Sequence, residues 1–468
     1  MSPDLIIQER HLTELRALLA RDHGVEASAY LLFGTSEIKQ DPWSKRRRRR
    51  FTSFEVLPVP PEDHVSADAQ HITWSTSSYV RLLKRAEDEG LIVGIVHTHP
   101  TGPACFSEQD DRNEGELAQM ARNRNGKSAE LISVLLAGKD QILARLWVDE
   151  REPIPMAHLR VIGRTYRIHE RLPSTSGLEH LHRQGLAFGD QLNTWLRTLR
   201  IGIVGCGGTG SATAMLLARL GVGYLALFDE DTADLTNLNR LHGSKRSDVD
   251  AMRSKVEIVA REITEAGLGV KAHAMKGWVG DPTFRDALKS CDVIFGCTDD
   301  HSGRLFLNRL AHFYLIPVID IGLAITPNDE GGGVKDLSGR TTVVFPGAPC
   351  LMCRGIVDPA KAREEDLRRA SPEEYERQKR EAYVRGAGNP APAVVTFTTS
   401  TACMAIDELL QALVGFRGPE GWAWNRLRRF DLMKDRVPGA LSGDHCPICE
   451  SQDYWGRGDI NPFMDRVG

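Results

Sequence analysis

His97 and His99 flank a single threonine and run into Pro100, and Ser107 and Asp110 follow after a short loop. Two imidazoles at i and i+2 leave an extended strand on the same side and can share one metal ion. Asp110 would be the third protein ligand, leaving the fourth tetrahedral position of a zinc ion for water, as in catalytic rather than structural sites. Zinc so held lowers the pKa of its water towards about 7 and polarises a carbonyl. Ser107 can donate a hydrogen bond to the developing oxyanion, and a separate carboxylate must take the water's proton. A second group of ligand-type residues is Cys350-Leu351-Met352-Cys353 with Cys446-Pro447-Ile448-Cys449. Two such C-x-x-C knuckles make a closed four-thiolate zinc site, which adds folding energy without chemistry.

A third group lies in Leu199–Asp231. The apolar residues Ile201, Ile203 and Val204 lead into Gly205-Cys206-Gly207-Gly208-Thr209-Gly210, then Ala214, Leu217 and Ala218 recur at helical spacing. A second strand, Tyr224–Phe228, ends in Asp229-Glu230-Asp231. Glycines after a strand let backbone N–H groups approach phosphates, and the helix N-terminus favours their charge. An acid ending the second strand can take a ribose hydroxyl. Gly205, Gly207, Gly208, Gly210, Asp229 and Asp231 are therefore candidate nucleotide contacts, although this fingerprint alone suits any dinucleotide enzyme.

The elements that must position these groups can be read from periodicity. Leu12, Leu15, Leu18 and Leu19 predict a helix over Leu5–Arg21, followed by a strand at Ala27–Phe33. Lys45 and the run Arg46–Arg50 are read as a solvated insertion or hairpin tip, in preference to a grip on nucleic acid or an acidic partner. A helix is expected at Ser77–Gly90, a buried strand at Leu91–Val96 carrying the histidines at its end, and two more strands in Ser133–Leu146. Asp149–Met156 reads as a polar connector, and Arg160–Pro173 as a strand or short helix. The expected domains are residues 1–150 and 178–468, joined by a linker at 151–177. With 468 residues, 41% hydrophobic and 26% charged, the chain has the composition of an ordinary soluble protein of two or three domains. A net charge of −4 argues against general nucleic-acid binding, and no apolar run approaches membrane length. Nine cysteines, four of them in knuckles, suggest metal ligands in a reducing, cytoplasmic compartment.

The phrase from His97 to Asp110 resembles the motif of the JAB/MPN (JAMM) metalloproteases, which cleave ubiquitin-like proteins after their C-terminal glycines. In that family the general base is a glutamate just before the first core strand. The matching residue is Glu26, with Glu37 and Glu55 as rivals. The stretch around Leu199–Asp231 resembles the ThiF/MoeB/ubiquitin-activating superfamily, because Asn237-Leu238-Asn239-Arg240 follows the acids and Cys297-Thr298-Asp299 follows a later strand. The resemblance implies that Asn237, Arg240 and Lys255 hold ATP phosphates, that Asp299 binds Mg²⁺, and that Arg304 and Asn308 line the site. Arg183, in a phrase before the glycine strand, matches an arginine that reaches the partner subunit's nucleotide, which implies a homodimer. Carboxylate attack on the α-phosphate of ATP depends on such charge neutralisation. The superfamily also carries the four-cysteine zinc site.

The expected fold is thus an α/β MPN/JAB domain followed by a Rossmann-like, doubly wound adenylation domain. The expected activity is adenylation of the terminal glycine of a ubiquitin-like (β-grasp) protein, joined to zinc-dependent processing or removal of that protein. A bacterial ubiquitin-like conjugation system with a separate carrier enzyme is one setting, and activation of a sulfur-carrier protein for thiocarboxylate formation is the alternative. ATP, Mg²⁺ and two zinc ions, one catalytic and one structural, are implied. In conjugating relatives a catalytic cysteine lies in the crossover region. Here residues 359–402 hold none, and Cys403 in an apolar run is read as a packed core thiol. A catalytically dead scaffold and a plain NAD dehydrogenase are the remaining readings.

Overall fold

The computed structural model describes residues 2–20, 26–67, 72–100, 103–138, 140–169, 179–328, 332–381, 392–443 and 446–460. It divides into two compact units. The first comprises Met1–Arg171 with Phe313–Leu315 and Asp453–Phe463, and the second Leu172–His312 and Ile316–Gln452 with the final residues. Of the expected linker, residues 170–177 lie outside the described residues.

The first unit runs β1 (Ser2–Gln8), α1 (Glu9–Leu18), β2 (Ser28–Ile38), β3 (Arg48–Pro58), β4 (His64–Ala67), β5 (Ile72–Trp74), α2 (Ser77–Glu89), β6 (Ile92–His99), α3 (Glu108–Asn125), β7 (Leu131–Ala137), β8 (Gln141–Trp147), β9 (Ile154–Pro155), β10 (His158–Ile162) and β11 (Tyr166–Ile168). Nine of these strands form one mixed sheet in the order β11-β10-β1-β3-β2-β6-β7-β8-β9. The two-residue period of β2 sorts its side chains between two cores. Ala29, Leu31 and Phe33 join Leu12 and Leu15 of α1, whereas Tyr30 and Leu32 join Tyr79 and Leu83 of α2 and Leu117 and Ala121 of α3.

Three sequence expectations change here. The N-terminal helix begins at Glu9, because Leu5, Ile6 and Ile7 are drawn into β1, parallel to both β3 and β10. Three consecutive apolar residues suit either period, and pairing on both sides decides for the strand. The arginine run is not a solvated tip. Its second half opens β3, where buried Arg48 pairs with Asp4 and, at 2.7 Å, with Asp41. Arg49 makes a two-pronged contact to Glu130 at 2.6 and 2.8 Å. Charged ends fold inward here because carboxylates are waiting for them. Finally, β10 and β11, drawn from the stretch read as linker, are strands of the first sheet.

A segment far along the chain completes this unit. Thr52 donates its hydroxyl to the Gly456 carbonyl at 2.6 Å, the Asp459 N–H donates to the Thr35 carbonyl at 2.7 Å, and Asp459 Oδ2 accepts the Glu37 N–H at 2.7 Å. The approach is close enough that a Cβ on Gly34 would stand 2.0 Å from the Gly456 oxygen.

The second unit runs α4 (His182–Phe188), α5 (Asp190–Thr198), β12 (Arg200–Val204), α6 (Gly208–Leu220), β13 (Tyr224–Asp229), α7 (Arg246–Asp250), α8 (Lys255–Glu265), β14 (Lys271–Lys276), α9 (Arg285–Ser290), β15 (Val293–Gly296), α10 (His301–Phe313), β16 (Val318–Pro327), β17 (Val334–Val344), α11 (Pro359–Ala370), α12 (Pro372–Glu381), α13 (Val395–Val414), β18 (Asn425–Arg429) and β19 (Lys434–Arg436). Its sheet has the order β14-β13-β12-β15-β16-β17-β18-β19, parallel as far as β16 and antiparallel beyond. From β12 the chain steps outward to β13 and β14, then returns to β15 on the other side. The loops after β12 and β15 therefore diverge at a topological switch point, where open α/β sheets bind ligands. Among the described residues, no helix is long and apolar enough to cross a membrane.

Candidate metal and nucleotide sites

In the first unit, β6 delivers His97 and His99 to one side of the sheet end. Thr98 between them is tied to β2, its N–H donating to the Ala27 carbonyl at 3.1 Å and its hydroxyl accepting the Ala27 N–H at 3.0 Å. That pairing holds the preceding residue, Glu26, opposite the histidines. Glu26 Oε1 stands 3.6 Å from His99 Nε2, and the residue is 6% exposed. Of the rivals, Glu37 lies exposed at the far end of β2, and Glu55 is paired with Arg85 at 2.5 Å. Asp110 arrives on the first turn of α3, with Oδ1 3.3 Å from His97 Nε2 and Oδ2 3.5 Å from His99 Nε2. Tetrahedral ligands about 2.0–2.1 Å from a zinc ion stand about 3.4 Å apart, so this donor set fits zinc. Burial alone would raise the Asp110 carboxyl, but His97 and the Ser107 N–H and hydroxyl outweigh it and hold the group well below the usual carboxylate range.

Ser107, expected to face the oxyanion, is tied to Asp110. It caps α3, accepting the Asp110 N–H at 3.1 Å, and its own hydroxyl donates to Asp110 Oδ2 at 2.8 Å. Sequence reading also missed Glu114, one turn after Asp110 on α3. Its buried carboxylate accepts from Ser133 at 2.6 Å and from Arg145 and Trp147 at 2.8 Å each. The guanidinium of Arg145 stacks 3.8 Å from the Phe106 ring centre, and Phe106 lies against His97. The i, i+4 spacing of Asp110 and Glu114 was the available signal.

The four knuckle cysteines converge in the second unit, with Sγ–Sγ separations of 3.9 Å (Cys350–Cys353), 3.7 Å (Cys350–Cys446) and 3.4 Å (Cys353–Cys449). Zinc–sulfur bonds of about 2.3 Å place tetrahedral sulfurs about 3.8 Å apart, so this set fits zinc as well. The Gly443 N–H donates to Cys353 Sγ at 3.1 Å. Asn308, expected beside the nucleotide, is wholly buried and accepts the Leu351 N–H of the first knuckle at 3.1 Å. Arg304 likewise turns to buried Asp320, at 3.1 Å.

The glycine loop joins β12 to α6. Gly205 has φ +88°, and a Cβ there would meet the Cys297 carbonyl oxygen at 2.7 Å. A Cβ on Gly210 would collide with the Gly205 oxygen at 1.7 Å, whereas Gly207 faces open space and a Cβ on Gly208 would touch the Arg240 stem at 3.3 Å. Glycine is thus required at two positions by the fold, while Gly207 leaves room for a ligand. Asp229 Oδ2 accepts the Cys206 N–H at 2.6 Å, and Lys255 Nζ, at the start of α8, lies 2.7 Å from Asp231 Oδ2. Burial pushes the Asp229 carboxyl up, with Lys255 opposing.

Asn237 is buried, and its Oδ1 accepts the Asp234 N–H at 3.3 Å, so its side chain shapes the turn that carries Arg240. Asp299 is exposed just past β15. Arg183 is exposed on α4, a helix without one buried residue, whose Leu186 is 76% exposed and whose Phe188 ring lies 6.3 Å from Phe416. Cys403 is not in the core. It is exposed on α13, and partial desolvation and Asp407 push its thiol pKa up. Residues 382–391 of the crossover lie outside the described residues.

Residues 181–448 match the model of the ThiF family, and residues 8–148 match that of prokaryotic homologues of the JAB domain. Ubiquitin-like modifier-activating enzyme 5 of Drosophila persimilis is 29% identical over 190 residues, which cover 38% of this chain and 48% of that protein. The SAMP-activating enzyme E1 of Haloferax volcanii is 26% identical over 160 residues (34% and 54%). The adenylyltransferase and sulfurtransferase MOCS3 of Drosophila willistoni is 28% identical over 176 residues (37% and 35%). The chain spans about half the length, or less, of these curated relatives. Among solved structures, E. coli MccB with ATP superposes with a TM-score of 0.43 at 17% identity, covering 59% of this chain and 76% of that one.

Proposed function

Since this chain belongs to the ThiF family and carries a JAB-type domain ahead of the matched region, we propose that it activates the C-terminal glycine of a ubiquitin-like protein with ATP and also cleaves that protein from a fusion or conjugate. The observation that carries the reading is the convergence of Glu26, His97, His99 and Asp110 in a chain whose second unit sets Arg240 and Lys255 around a glycine loop. One domain acts on the bond after the terminal glycine, and the other on the carboxylate that this cleavage leaves.

For cleavage, His97, His99 and Asp110 are the residues that would hold zinc, and bound zinc supplies Lewis-acid polarisation of the scissile carbonyl. Glu26 takes the proton of the attacking water and returns it to the leaving amine. Ser107 orients Asp110. For activation, a terminal carboxylate oxygen of the substrate attacks the α-phosphorus of ATP and pyrophosphate leaves. The glycine-loop N–H groups and the start of α6 receive phosphate oxygens, Arg240 and Lys255 offset their charge, and Asp229 takes the ribose. Asp299 is the residue that would hold Mg²⁺. We assign Arg183 to the nucleotide of a second copy, because it is exposed on α4, a helix with no buried residue, beside Leu186, which is 76% exposed. Cys350, Cys353, Cys446 and Cys449 would hold a structural zinc, and thiols kept apart as ligands suit a reducing, cytoplasmic setting.

A second reading is activation of a sulfur carrier, supported by the stretch 359–402, which holds no cysteine for a thioester step and leaves adenylation alone. ATP–pyrophosphate exchange with small β-grasp proteins tests activation. Exchange that depends on a terminal glycine is expected, and absence of exchange with every such protein encoded beside this one overturns the reading.

A further inference from the structure

Helix α11 buries Ala362 alone among its residues and is held mainly by polar contacts. Glu365 accepts the Ser302 N–H at 2.7 Å, Asp366 accepts the Ser302 hydroxyl, and His301 Nδ1 accepts the Asp358 N–H at 3.1 Å. All of these fall on the first turn of α10, immediately after Asp299 and Asp300. Arg369, on the last turn of α11, adds the most distinctive contacts. Its guanidinium lies 4.2 Å from the centre of the Trp278 ring, with Nη2 3.6 Å from Asp300 Oδ2 and Nη1 3.4 Å from Ser302 Oγ. Trp278 follows Gly277, whose N–H donates to the Asp229 carbonyl at 3.1 Å. Burial pushes the Glu230 carboxyl up, Arg369 is the strongest influence against that, and Asp231 and Asp300 add to the rise.

Arg369 is therefore a cation shared by Asp300, in the loop after β15, and Asp366, 3.3 Å away on its own helix, and it is stacked on an aromatic ring from the loop after β14. A nucleotide in an open α/β sheet lies outside these same strand ends. ATP is a polyanion, and Asp300 left uncompensated there would repel it.

We propose that Arg369 is a positioning residue of the nucleotide site: by pairing with Asp300 it cancels negative charge beside Asp299, so that Mg·ATP can bind, and stacking on Trp278 holds it in place. This rests on the adenylation reading above. It goes beyond it by giving the crossover helix a part in nucleotide affinity.

Titration calorimetry of Mg·ATP into the full chain tests the proposal. Arg369→Ala should weaken binding about tenfold or more, and Arg369→Lys, which keeps the charge, should lose much less. Adding Asp300→Asn to Arg369→Ala removes the stranded carboxylate while keeping a helix-capping residue, and should restore most of the affinity. Asp300→Asn alone should bind Mg·ATP at least as tightly as wild type, a comparison that holds even if Arg369→Ala does not fold. Unchanged affinity in Arg369→Ala, no recovery in the folded double variant, or weaker binding by Asp300→Asn overturns the proposal. If wild type binds no ATP, the adenylation reading itself fails; if wild type binds and Arg369→Ala binds equally, only this inference does.

Discussion

His97 and Glu26 sit within one cluster yet differ in what their removal should do. His97→Ala should lose the metal and the cleavage of a modifier fusion while ATP–pyrophosphate exchange persists, because exchange belongs to the other unit. Glu26→Gln keeps a polar side chain of the same size, so zinc content should stay and turnover should fall by about 10²–10⁴-fold. Glu37→Gln should change neither, since the Glu37 contact at Asp459 is made by its backbone. Cleavage lost in Glu37→Gln and kept in Glu26→Gln would transfer the role of base. The arginine run makes a second contrast. Arg46 and Arg47 are exposed, whereas Arg48 is 4% exposed between Asp4 and Asp41. Removing one partner of a buried pair costs about 3–5 kcal/mol, and exposed charges contribute little. Arg48→Ala should therefore unfold the first unit at much lower denaturant concentrations, and the Arg46→Ala/Arg47→Ala double variant should match wild type. Equal midpoints for both would refute the inward reading of the run.

Among elements, the segment 453–460 is tied to β2 and β3 by hydrogen bonds at Thr35, Glu37 and Thr52 that a Cβ on Gly34 would disturb. Gly34→Ala should cost the first unit about 1–3 kcal/mol through overpacking, read as a lower melting transition with the second unit's transition unmoved. Helix α1 carries a pH dependence of its own. Burial lowers the His11 pKa to about 3, and its Nδ1 lies 2.9 Å from Ser53 Oγ. The folded state keeps the ring neutral while the unfolded chain takes a proton below about 6.5. The contribution is therefore fully present above about pH 6.5 and is lost as pH falls from there to about 3, by up to about 1.4 kcal/mol per pH unit. Denaturation at pH 7.5 and 5 should show that loss, and His11→Asn should flatten it. An unchanged slope in the variant would place the acid sensitivity elsewhere. The knuckles predict a third outcome, that Cys449→Ser lowers zinc content from about two equivalents to about one. Two equivalents retained would sink the four-thiolate assignment.

For the whole molecule, the decisive measurement is subunit exchange. If Arg183 completes a partner's site, Arg183→Ala and Asp299→Ala are each inactive in pyrophosphate exchange. An arginine supplied to such a transition state is worth about 10³-fold or more. Mixing the two restores one intact site per heterodimer, so activity should return towards a quarter of wild type at equal mixing and full exchange. A mixture that stays inactive although subunits swap, or an active monomer by light scattering, means Arg183 acts within its own chain or not at all.

Much of the candidate sites' geometry was legible because their residues are close in sequence. His97, His99, Ser107 and Asp110 lie within one strand, loop and helix start, so strand alternation and capping dictate their meeting. The glycine loop is likewise local, with strand, turn and helix each marked by its own period. What the sequence could not decide depends on partners distant along the chain. Leu5–Ile7 became a strand because β3 and β10 flank it, and Arg48 turned inward because Asp4 and Asp41 were brought to it. Asn308 and Arg304, expected to line the nucleotide site, turned instead to the first knuckle and to Asp320. Arg369 met Asp300 and Trp278 only through the folding of the crossover helix. Local spacing sets which side chains can share a metal or a phosphate. Tertiary pairing decides which charges are buried, because a buried charge is stable only where a counter-charge has been delivered.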